Sequence, residues 1–153
     1  MVRKDRLRSL LAPLLTGLLL LGGCRSRLQD RSSKAYADFV SAFYVGLAAL
    51  QVGDDVRADR ELRRATEIVS GEPAAWANWG ILALRQRNFD AAGERVNRAR
   101  DLANNNDEIY YLLGLIDAGR GKSGEAIADL RKAVEINPNN LIATYRLAEE
   151  IER

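Results

Sequence analysis

Gly121-Lys122-Ser123 would close a phosphate-binding loop if a glycine stood five residues before Gly121 and a strand came first. The residue there is Ile116, and the stretch before the triplet reads as helix. The triplet is therefore a glycine turn between two helices. Carboxylates pair at Asp54-Asp55, in a turn, and at Glu149-Glu150, on a helix. Neither pair has the apolar setting that drives two acids to different pKa values. Asn104-Asn105-Asn106-Asp107 could hold a cation only weakly, because it lacks the spaced acidic ligands and distal glutamate of a calcium loop. Histidine is absent from all 153 residues, which removes the commonest general base and the commonest metal ligand. These residues compose no catalytic centre. The chain is expected to be non-enzymatic, with no metal and no cofactor.

One residue keeps a distinct chemistry. Cys24 is the single cysteine, so it has no partner within the chain for a disulfide. Before it stand a basic stretch, Arg3 to Arg8, an apolar run of about 12 residues from Leu10 to Leu21, and then Gly22 and Gly23. That order is the layout of a secretory signal peptide, and the run is too short to cross ~30 Å of hydrocarbon as a helix. The ending Leu21-Gly22-Gly23-Cys24 resembles the lipobox of bacterial lipoproteins. The resemblance implies cleavage before Cys24, a thioether lipid on its thiol and acylation of the new amino terminus. It implies an exported protein, anchored to a membrane of the cell envelope by its N-terminal lipid. With Arg25 and not aspartate after the cysteine, the family's sorting rule favours the periplasmic face of the outer membrane. Residues 1–23 are thus read as a signal peptide, and 24–34 as the lipidated cysteine with a polar tether.

The formal net charge of +2 is unevenly spread. Arg3, Lys4, Arg6 and Arg8 against Asp5 give the first 23 residues +3, and Arg25, Arg27, Arg31 and Lys34 against Asp30 add +3. From Ala35 onward the chain is about −4. No basic face that could track phosphates is indicated there, and nucleic acid is not an expected partner.

The residues from about 35 onward carry a repeat. Gly46, Gly80 and Gly114 lie 34 residues apart, as do Ala58, Ala92 and Ala126, and Ala65, Ala99 and Ala133. Leu62, Val96 and Leu130 keep the same phase. Three coincident series at one period require a repeated structural unit. Apolar spacing near 3.6 within each unit makes it helical. The turn signals Gly53-Asp54, Arg87-Asn88 and Gly119 to Gly124 then divide the chain into helices near 35–51, 55–70, 73–86, 89–103, 107–119, 123–136 and 139–151. Small residues at fixed positions let paired helices approach, and Trp76, Trp79, Tyr110 and Leu113 fill the space around each crossing. Pro73 and Pro138 are expected at helix starts, and the Asn104–Asp107 stretch supplies a turn and an N-cap.

The columns Trp76-x-x-Trp79-Gly80, Tyr110-x-x-Leu113-Gly114 and Ala126-x-x-x-Leu130-x-x-Ala133 with Pro138 resemble the tetratricopeptide repeat. The resemblance covers roughly 39–153, as repeats 39–72, 73–106 and 107–140 and a half repeat 141–153 within a domain at 35–153. It implies an all-α solenoid of antiparallel helix hairpins, a right-handed superhelix. The last helix would be a cap, its outer face carrying Glu149, Glu150, Glu152 and Arg153. A longer exported protein, of which this would be the N-terminal interaction module, remains the alternative.

The resemblance also implies that the first helices of the hairpins line a concave groove for a peptide or protein segment. By phase, the candidate partner-binding residues are Phe43, Tyr44 and Leu47, then Asn78 and Ile81, then Tyr111, Leu112 and Leu115, then Tyr145 and Arg146. Where family members that hold acidic chaperone tails place clamp residues, this chain has Phe43, Leu47, Glu108 and Leu112, and only Asn78 matches. Acidic tails are therefore not the expected ligand. Self-association through exposed hairpin faces stays open.

Overall fold

A computed structural model of the chain describes residues 33–153. The signal peptide, Cys24 and the tether through residue 32 lie outside the described residues. Those described form seven α-helices and no strand: α1 (Lys34–Val52), α2 (Asp55–Ile68), α3 (Pro73–Arg85), α4 (Phe89–Leu102), α5 (Asp107–Gly119), α6 (Ser123–Ile136) and α7 (Leu141–Ile151). Helices α1 and α2, α3 and α4, and α5 and α6 pack as hairpins, and each second helix also packs on the first helix of the next hairpin.

The helix starts repeat as faithfully as the core. Asp54 and Asn88 cap α2 and α4 with their side chains. Asn106 and Asn140 cap α5 and α7 in the same way, each accepting from a backbone N–H of the first turn. At Lys122, which stands in the column of Asp54 and Asn88, no side-chain cap bond forms. Between the helices of each hairpin the chain needs one left-handed residue, supplied by Gly53 (φ 80°), Arg87 (φ 59°) and Gly121 (φ 75°). Pro73 opens α3 as expected. Pro138 does not open a helix: it stands in the α6–α7 turn, because Asn140 is the cap and α7 begins at Leu141.

The 34-residue columns meet one another inside each hairpin. A Cβ on Gly46 would lie 2.8 Å from Leu62 Cγ, and one on Gly114 would lie 2.6 Å from Leu130 Cγ; Gly80 faces Val96 in the same manner. Ala58, Ala92, Ala126, Ala65, Ala99 and Ala133 are fully buried. The hairpins then stack by sharing core. Ala83, Ala92, Val96 and Ala99 of the second hairpin join Ile109, Leu112, Leu113 and Ile116 of α5 in one cluster.

Polar ties reach back along the array at each hairpin turn. Arg85 pairs with Asp55 and donates to the Leu50 carbonyl at 2.6 Å. Arg120 donates to the Phe89 carbonyl at 2.8 Å and to Asp90 at 3.1 Å. Trp79 Nε1 donates to Asp59 at 2.8 Å, and the Arg95 guanidinium stacks 3.8 Å above the Trp79 ring. Burial there lowers the Arg95 pKa, against the pull of Asp59 and Glu94.

Helices α1 and α7 bear on the surface, and α7 differs from the sequence expectation. Helix α1 has 19 residues of mean hydropathy 1.3, enough by length and composition for a membrane span. Its Phe39, Ala42, Gly46 and Ala49 are nonetheless buried in the first hairpin. Helix α7 does not present a polar end. Glu150 is only 5% exposed and accepts from Ser123 Oγ at 2.7 Å, so it belongs to the face on α6. Leu141, Tyr145 and Ile151 point outward instead, 77%, 69% and 54% exposed. The reason is phase: Ala143, Leu147 and Glu150 share one helical face, which turns Leu141, Tyr145 and Ala148 to the other.

Candidate functional site

A pocket of about 410 Å³ opens between α3, α5 and α7. Ile81 of α3, Tyr111 and Leu112 of α5 and Ile142 of α7 supply its apolar and aromatic wall. Asp107 and Glu108 of α5, with Asn137 and Asn140 from the α6–α7 turn, supply the polar part.

One carboxylate organises that polar part. Asp107 Oδ2 accepts from Asn137 Nδ2 at 2.9 Å and from Asn140 Nδ2 at 2.8 Å. Asn140 meanwhile caps α7, its Oδ1 accepting from the Ala143 N–H at 2.9 Å. The Asn137 side-chain oxygen Oδ1 accepts from the Asn139 N–H at 3.1 Å. Asp107 thus fixes the turn that enters α7 and sits in the first turn of α5, where the helix dipole favours an anion. Burial pushes its pKa up, but the Asn140 and Asn137 amides and the local backbone N–H groups outweigh it and hold the carboxyl below its ordinary value. Glu108 beside it is exposed and makes no ion pair among the described residues.

Of the residues expected to meet a partner, the pocket brings together Ile81, Tyr111 and Leu112; Leu112 is also core, 9% exposed. The others stand apart from it. Phe43 is half-buried, stacked on Phe39 at 5.8 Å and touched edge-on by Tyr44 at 5.5 Å. Tyr44 is 64% exposed on α1. Leu47 and Leu115 are half-buried. Asn78 Nδ2 donates to the Ala74 carbonyl at 2.8 Å, and its Oδ1 has no partner among the described residues. Tyr145 is on the outward face of α7, and Arg146 pairs with Glu149 one turn on.

Asp107, Asn137, Asn140 and Ile142 were not singled out as site residues from the sequence. A signal was present for one of them: Asn106 and Asn140 occupy one column, so Asn140 could be read as the cap of the next first helix, α7. Asp129 lies outside the pocket on α6. Its carboxyl is pushed up to about 6 by burial and by Asp117, against the pull of Arg100. Among the described residues no group of three or more His, Cys, Asp or Glu side chains is placed to hold a metal ion.

Comparison with known proteins agrees with this architecture. The sequence model of the tetratricopeptide repeat matches residues 107–140. The anaphase-promoting complex subunit cut9 of Schizosaccharomyces pombe is 28% identical over 79 residues, which cover 52% of this chain and 12% of that protein. The chain therefore spans a small part of the curated relative it matches. A Thermobaculum terrenum O-GlcNAc transferase superposes with a TM-score of 0.74 at 22% identity, over 78% of this chain and 23% of the other. The first tetratricopeptide domain of Spaghetti (RPAP3), bound to the HSP90 peptide SRMEEVD, superposes with a TM-score of 0.73 at 21% identity, over 76% and 92%. These likenesses establish an all-α tetratricopeptide-repeat fold.

Proposed function

We propose that this chain is a non-enzymatic interaction scaffold that binds a peptide or protein segment along its concave groove. The observation that carries the reading is the pocket between α3, α5 and α7, lined among the described residues by Ile81 and Tyr111. A structural relative that holds a peptide supports it at the level of fold. The finer reading is an envelope lipoprotein held by acyl chains on Cys24, assisting assembly of an envelope complex. The order of basic stretch, apolar run and Gly-Gly-Cys supports the anchor. A module within a longer exported protein is the alternative, and the small share of the relative that is matched is compatible with it.

Exchange of Tyr44 and Tyr111 for serine tests the groove. Partner capture from native envelopes should fall while the helical circular-dichroism signal is kept; unchanged capture rejects the groove. Mass spectrometry of the mature N-terminus tests the anchor. A diacylglyceryl adduct on Cys24 is expected, and an unmodified Cys24 or an intact Met1 in the membrane fraction rejects it.

A further inference from the structure

The pocket carries a charge preference. Two carboxylates, Asp107 and Glu108, line it, and among the described residues no lysine or arginine does. The first is held as an anion by two amide donors that occupy one of its oxygens. The second is exposed and makes no ion pair among the described residues. Below them lies an apolar wall of Ile81, Leu112 and Ile142, with Tyr111 alongside. An acidic side chain or chain end placed there would meet like charge in a partly enclosed site. A basic side chain meets the opposite: its methylene stem can lie along the isoleucines while its head stays at the mouth beside the carboxylates. A guanidinium can in addition stack on the Tyr111 ring.

We infer that the pocket between α3, α5 and α7 receives an arginine or lysine side chain from the bound segment, with Glu108 as its counter-charge. This rests on the reading that the groove binds a peptide, and it adds which peptide: one with a basic residue flanked by apolar ones. The site is then opposite in sign to what the acidic peptide SRMEEVD, held by the Spaghetti domain, would need.

The test uses the full chain in non-ionic detergent, with N-acetyl-arginine methylamide as probe and N-acetyl-glutamine methylamide as its uncharged control. Backbone amide shifts are followed by NMR during titration to tens of millimolar. The arginine probe should move Glu108, Tyr111 and Asn137, and the glutamine probe should move them far less. Glu108→Gln should weaken the response about fivefold, the effect of losing one exposed charge pair of about 1 kcal/mol. Glu67→Gln, exposed on α2 outside the pocket, should leave it unchanged. Equal response to both probes, no response at these residues, or an unaltered response in Glu108→Gln overturns the inference. Partner capture by the serine variants is read separately, so a failed charge preference with capture intact leaves the groove standing.

Discussion

Gly114→Ala adds one methyl group where the structure leaves room for none. The new Cβ would lie 2.6 Å from Leu130 Cγ, 2.9 Å from Leu130 Cδ2 and 3.3 Å from the Ala126 carbonyl oxygen. Leu130 is 1% exposed and cannot swing away, and the carbonyl belongs to α6 backbone. Overpacking of this kind costs about 2–3 kcal/mol. Alanine in place of glycine within a helix returns about 1 kcal/mol. The net expectation is a loss of about 1–2 kcal/mol, read as a lower urea midpoint at 222 nm. The decisive arm is the same change in a Leu130→Ala background. There the two Leu130 atoms under 3.0 Å are gone and only the 3.3 Å approach to the Ala126 carbonyl remains, so Gly114→Ala should become neutral or stabilising by up to about 1 kcal/mol. The coupling between the two sites should therefore be about 2–3 kcal/mol. If Gly114→Ala is as destabilising in the Leu130→Ala protein as in the parent, the glycine is not there for close helix approach. The reasoning from the repeated columns then fails.

Three other changes test the local physics. Lys122→Asn should stabilise by about 0.5–1 kcal/mol in urea unfolding, because it gives α6 the side-chain cap it lacks and loses only the exposed Lys122–Glu125 pair; an unchanged midpoint would refute this. Arg87→Gly should stabilise by roughly 0.5 kcal/mol, read as a higher urea midpoint, since φ is 59° there and glycine holds the same column at 53 and 121; a lower midpoint would contradict it. Asp129 has a folded pKa raised to about 6, so the folded state holds a proton that the unfolded state has lost above about pH 4. Its ionisation destabilises the fold as pH rises from about 4 through 6, and Asp129→Asn should stabilise by about 1–2 kcal/mol at pH 7.5 and by little at pH 4. Equal effects at both pH values would dismiss that account.

The hairpins were legible because their constraint is local and repeated. A small residue must stand where two helices cross, and Gly46, Gly80 and Gly114 recur at one spacing opposite Leu62, Val96 and Leu130. Six of the seven expected helices begin within a residue of their observed starts for the same reason. The pocket was only half legible. Ile81 and Tyr111 follow from helical phase, but the polar part depends on Asp107 meeting Asn137 and Asn140, residues 30 and 33 positions away. The end of the array was misread because Glu149, Glu150 and Glu152 look like one acidic face in sequence. At about 100° per residue Glu149 and Glu152 share one side, and Glu150 between them turns inward. Positions expected to face a partner, such as Phe43 and Leu112, prove half-buried or buried because neighbouring first helices share side chains with the core.

The most direct measurement of the central claim is site-specific photo-crosslinking in native membranes. A benzophenone amino acid would replace Tyr111 in the pocket in one protein, and Arg64, exposed on α2, in another. Adducts would be mapped by mass spectrometry. The account predicts a recurrent peptide segment, basic and apolar in composition, attached at position 111 and absent at position 64. Adducts at 64 with none at 111 would contradict it.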